Sequence, residues 1–100
     1  GLATDSYHSL AKSFMKGFGA MISFDVNASV EQIDSMCNSS KLITNATSLG
    51  GVESIWERRR RWATESATVP ETLIRFSVGI ENVDDLWADI QQSLTAAKIK

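Results

Sequence analysis

The sequence predicts one α/β-layered domain, a small sheet with helices laid against it. Three observations point there. Apolar residues recur at helical spacing around residues 6–17, 29–37 and 83–97. They switch to alternation over residues 20–26 and 73–79. The chain has 100 residues and a formal net charge of -2, which leaves room for one core and hardly two. A helix with one apolar stripe must bury it, and a half-apolar sheet is the surface that accepts it.

The first helix is expected over residues 6–17, with Leu10, Ala11, Phe14 and Phe18 as its stripe and Ser6 or Ser9 as its cap. Gly17 and Gly19 supply the turn into a half-buried strand, where Ala20, Ile22, Phe24 and Val26 alternate with Met21, Ser23 and Asp25. Ser29 with Gln32 has the pattern of a capping box. Val30, Ile33, Met36 and Cys37 give the second helix its stripe, and Asn38, Ser39 and Ser40 end it. KLITNATS, residues 41–48, predicts a short strand. After Gly50 and Gly51, VESIWERRRR predicts a short helix over residues 52–61. The following stretch is irregular, and Pro70 stops any helix. Residues 73–79 predict a strand with Ile74, Phe76 and Val78 on one face, Arg75 and Ser77 on the other. Asn82 caps the last helix, where Glu81, Asp84 and Asp85 suit the positive end of the dipole. Its predicted stripe is Val83, Leu86, Trp87, Ile90, Leu94 and Ala97. The expected order is α-β-α-β-α-β-α.

The near-neutral charge excludes a global pull toward nucleic acid or an anionic membrane. No run approaches the roughly 20 apolar residues that span a bilayer. Cys37 is the sole cysteine, so no internal disulfide or cysteine-built zinc site is expected, and a reducing, cytoplasmic setting fits. Glycosylation-type triplets at Asn38 and Asn45 would go unused there. The chain opens without methionine, without the pattern of a signal peptide, and directly into helical spacing, which reads as part of a longer protein.

Three places carry chemistry of interest. Arg75 stands alone on the polar face of an apolar strand; a planar, permanently charged guanidinium suits either a two-pronged grip on a substrate carboxylate or an internal salt bridge. ATSLGGVES, residues 46–54, presents Thr47, Ser48 and paired glycines that suit an anion or a plain strand-to-helix turn; Glu53 is a candidate partner for an arginine or a solvated acid. WERRRRW, residues 56–62, suggests a weak nucleic-acid or protein binder through Trp56–Trp62, or a solvated segment with its tryptophans packed. His8 lacks partners at metal-ligand spacing, and Cys37 on its apolar stripe reads as buried and inert. Residue pattern alone supplies no catalytic engine.

HSLAKSFMKGFGAMISFDV, then ATSLGGVESIWE, then VPETLIRFSVGIENVDDLWADIQQSL resemble, in order and spacing, the C-terminal domain of the pyridoxal-phosphate (PLP) enzymes of cysteine and methionine metabolism. These are cystathionine gamma-synthase, gamma-lyase and beta-lyase, and methionine gamma-lyase. The resemblance implies an α+β fold: a small, mainly antiparallel sheet layered with helices, the C-terminal domain of a fold-type I PLP enzyme. It implies that residues 1–100 form a single substrate-binding domain. Its partner would be a larger N-terminal domain of the same polypeptide, holding pyridoxal 5'-phosphate on a lysine. Lys12, Lys16, Lys41, Lys98 and Lys100 do not sit in that lysine's motif, so the chain alone is expected to hold no cofactor and to be inactive. The parent is expected to be a homotetramer acting on a sulfur-containing amino acid by beta- or gamma-elimination or replacement. Arg75 matches the family arginine that grips the substrate alpha-carboxylate. Ser48 matches the serine beside it, acting mainly through its backbone, with Thr47 and Leu49 flanking. No catalytic or metal residue is implied. Two departures stand out: Thr47 where several members carry Glu, and WERRRRWATES where many continue with a proline and an MTH segment.

Overall fold

Leu73–Ser77 forms the strand around which the domain is built, because it is hydrogen-bonded along both edges. The computed structural model describes residues 1–100. In chain order the elements are α1 (His8–Phe14), β1 (Met21–Asp25), α2 (Val30–Ser39), β2 (Thr44–Asn45), β3 (Ile55–Arg58), a 3-10 turn (Arg59–Arg61), β4 (Leu73–Ser77) and α3 (Val83–Ala96). The sheet order is β1-β4-β3-β2. β4 pairs antiparallel with β1 and β3, and β3 pairs parallel with β2. The sheet is therefore mixed but mainly antiparallel, with α2 and α3 layered on one face.

Alternation on β4 decides which face that is. Ile74 and Phe76 point into the core with Trp56 of β3, where they meet Ile33, Met36 and Cys37 of α2 and Leu86 of α3. The opposite face carries Arg75 with Glu57 directly across on β3 and Ser23 across on β1. The capping box of α2 forms as its spacing requires: Ser29 Oγ accepts from Gln32 N, and Gln32 Oε1 accepts from Ser29 N. Asn82 caps α3 through Asp84 N and Asp85 N.

Four sequence expectations need correction. Residues 52–61 are not a helix. Residues 55–58 are the interior strand β3, all four buried, followed by one 3-10 turn. Glu57 and Arg58 are both buried and point to opposite faces, each neutralised by partners elsewhere, so apolar alternation does not mark this strand. The stripe of α3 also differs: Val83 and Trp87 face solvent, while Asp89 and Ser93 are buried. Asp89 turns inward because its carboxylate accepts from the amides of Lys41, Leu42 and Ile43. The first helix is shorter than 6–17, starts after Tyr7 with no side-chain cap, and buries none of its residues. KLITNATS contributes only the two residues of β2 to the sheet.

Candidate carboxylate-binding site

The site grows from the polar face of the two interior strands. Glu57 and Arg75 are a cross-strand pair, and opposite charges at such positions hold each other in register. Glu57 is 1% exposed. A bare carboxylate there would be prohibitively desolvated, so its surroundings must supply donors. Oε1 accepts from Arg75 Nη2 at 3.2 Å and from Arg59 Nη1. Oε2 accepts from Thr47 Oγ1 and from Trp62 Nε1 at 3.2 Å, and Arg61 Nη2 lies 3.0 Å away. Burial pushes the Glu57 carboxyl up, but the bonds from Thr47, Trp62 and Arg59 outweigh it and hold the group below the usual carboxylate range.

Arg75 is 24% exposed along its side chain. All its hydrogen bonds leave from Nη2, to Glu57 Oε1 and to the Ser48 carbonyl, each at 3.2 Å. Nη1 and Nε are uncommitted. The guanidinium is thus fixed at Nη2, while Nη1 and Nε, on different edges of its plane, each remain free to donate a charge-assisted hydrogen bond to a carboxylate.

The loop after β2 brings Ser48 alongside. Ala46 N donates to the Trp56 carbonyl, Gly50 N donates to Ser77 Oγ at 3.1 Å, and Gly50 takes a φ of 75°, which glycine adopts without penalty. Between these anchors the amides of Thr47, Ser48 and Leu49 make no intrachain hydrogen bond, so they too are available to an anion. Past the loop, Ser54 N and Oγ both donate to Glu81, and Gly79 N donates to Ser54 Oγ. Those bonds hold Glu81 below the usual carboxylate range. A cleft of about 450 Å³ opens next to the loop, lined by Thr47, Arg59, Trp62, Thr64 and Glu65. Arg75 does not line it, but shares Glu57 Oε1 with Arg59.

The predicted site residues therefore converge in part. Arg75, Ser48 and Thr47 are joined by hydrogen bonds, directly or through Glu57; Leu49 is exposed beside them. Glu53 is exposed and pairs with no arginine. The acid that does pair, Glu57, was hidden in the arginine-rich stretch, and only its period-two placement opposite Arg75 could have signalled it.

The four consecutive arginines are all held by acidic partners, and Arg58 is buried. Arg58 meets Asp34 at 2.7 Å and Glu71 at 3.3 Å, and Arg60 meets Glu71 at 3.0 Å. Arg59 and Arg61 belong to the Glu57 side, Arg59 also meeting Glu65 at 2.7 Å. Trp56 is fully buried in the core and cannot stack on a base, while Trp62 carries Arg61 on its ring at 4.8 Å. His8 stacks on Phe18 with ring centroids 5.3 Å apart, and no cluster of His, Cys, Asp or Glu has the arrangement of a metal site. Burial pushes the Cys37 thiol up to about 11, which keeps it protonated.

All five lysines are exposed. None has the desolvated setting that turns a lysine into a Schiff-base nucleophile, so the residues of this chain do not fit the covalent seat of PLP.

A small mixed sheet with helices layered on one face matches the C-terminal domain of fold-type I PLP enzymes. The structure superposes with a TM-score of 0.89 on crystalline cystathionine gamma synthase from Xanthomonas oryzae pv. oryzae in complex with cystathionine, at 35% identity over 98% of this chain and 27% of that one. Among curated proteins, cystathionine gamma-lyase of Dictyostelium discoideum is 42% identical over 94% of this chain and 26% of its own length. L-methionine gamma-lyase of Fusobacterium nucleatum subsp. polymorphum is 38% identical over the same shares. The chain spans about a quarter of the length of the curated relatives it matches. The profile of the Cys/Met metabolism PLP-dependent enzymes matches residues 1–95, and the chain belongs to that family.

Proposed function

We propose that this domain holds the alpha-carboxylate of a sulfur-containing amino acid in a PLP-dependent enzyme of the transsulfuration type, during beta- or gamma-elimination or replacement. The observation that carries the reading is the guanidinium of Arg75, anchored through Nη2 and open at Nη1 and Nε. The free amides of Thr47, Ser48 and Leu49 stand beside it as further donors. The cofactor, held by a larger N-terminal domain of the same polypeptide, supplies the electron sink. This domain supplies orientation, which fixes the reacting carbon without taking part in bond changes. The whole protein works as a homotetramer in the cytoplasm, and this domain alone turns over no substrate.

The test is Arg75→Ala in the full-length protein. Loss of the charge-assisted contact is expected to raise KM for cystathionine by roughly 30-fold or more, while the cofactor's visible absorbance is retained. Unchanged kinetics would remove Arg75 from substrate binding.

A further inference from the structure

Arginine pairing divides the charged side chains of this region into two groups. Arg58 and Arg60 face Asp34 and Glu71, two charges against two. Arg59, Arg61 and Arg75 face Glu57 and Glu65, three against two. The second group keeps one positive charge, and it includes the guanidinium nitrogens that protein acceptors leave open on Arg75. Glu57 is the only member that touches all three arginines. It is also buried, fixed by Thr47 and Trp62 as well, and anchored on an interior strand directly across from Arg75.

We propose that Glu57 is a positioning and specificity-determining residue: it holds Arg75 by Nη2 and trims the three-arginine cluster to a single net positive charge, so that the site takes a singly charged carboxylate in preference to a dianion. The inference rests on the reading of Arg75 as a carboxylate receptor. Two effects follow from one carboxylate. Its position fixes Arg75 at Nη2 and leaves Nη1 and Nε uncommitted. Its charge offsets most of the field that a second ligand charge would exploit, at separations well inside the Debye length, where screening is weak. Glu65 contributes to the charge count but not to the placement of Arg75, since its side chain bonds Arg59 and the Ser66 amide.

The test uses the cofactor-loaded full-length protein and two unreactive probes of similar size, propionate and malonate, at pH 8. Apparent Kd comes from the ligand-dependent rise in Tm. Glu57→Gln is expected to shift the propionate-to-malonate preference toward malonate by about tenfold, and to weaken propionate binding as Arg75 loses its anchor. Glu65→Gln, at a more exposed position, is expected to shift the preference the same way without weakening propionate. It reports on the charge count even if the buried variant fails to fold. Glu57→Asp is expected to keep the preference and weaken both probes. Arg75→Ala separates the two ideas. If it leaves propionate affinity unchanged, the receptor reading fails. If it abolishes propionate binding while neither Glu57→Gln nor Glu65→Gln moves the preference, the receptor stands and the role given to Glu57 is wrong.

Discussion

Replacing Asp89 by Asn should cost this domain a large part of its stability, although the two side chains have nearly the same shape. Asp89 is 6% exposed and sits mid-helix on α3. Its Oδ1 accepts from Lys41 N at 2.8 Å and Gln92 Nε2 at 2.9 Å; its Oδ2 accepts from Leu42 N at 2.9 Å and Ile43 N at 2.8 Å. Every partner is a donor. An Asn can turn its oxygen to only one pair, and its NH2 must then face the other. Two bonds to a charged acceptor are lost, each worth roughly 1.5–3 kcal/mol. With some relief from water at the more exposed Lys41, the expected loss is about 3–4 kcal/mol, against roughly 5–15 for a whole domain. For a domain of this size that lowers Tm by about 12–30 °C. Burial pushes the Asp89 carboxyl up, but the three amides and Gln92 outweigh it and leave it below its ordinary value of 3.8. Its contribution is therefore complete at neutral pH, above the unfolded value, and fades as the pH falls through the folded one. The assay is urea unfolding of wild type and Asp89→Asn from pH 7 down to pH 3, with the gap narrowing at the acid end. A loss under about 1 kcal/mol at pH 7, or a gap that stays constant into acid, would refute the reasoning.

Three further outcomes follow from local geometry. Gly79→Ala would place a Cβ 2.2 Å from the Val52 carbonyl oxygen and 2.7 Å from the Glu53 carbonyl carbon. These are backbone atoms that cannot give way, so urea unfolding should report a loss of at least about 1–3 kcal/mol. Ser29→Ala removes the acceptor of Gln32 N, and the same measurement should report about 1 kcal/mol. Cys37, buried with its thiol pushed up to about 11, should resist iodoacetamide at pH 8 in the folded protein and react once urea is added. Rapid labelling without denaturant would contradict its burial.

Much of the architecture follows from local rules. The capping box at Ser29 and Gln32, the Asn82 cap, the stripe of α2 and the alternation of β4 depend on contacts only a few residues apart, so spacing determines them. By local pattern the chain also set Arg75 apart from the core, since period-two geometry puts it opposite Ile74 and Phe76. Only the tertiary structure decided the fate of the charges. β3 looks unlike a strand because Glu57 and Arg58 are buried, and their burial is tolerable only through acids and donors that arrive from α2, the loop after β2 and the segment before β4. Asp89 enters the core for the same reason, its three backbone-amide partners lying more than 45 residues away. The desolvation of a charge is local, but the group that compensates it is brought by the fold, and no periodicity in the chain records which group that will be.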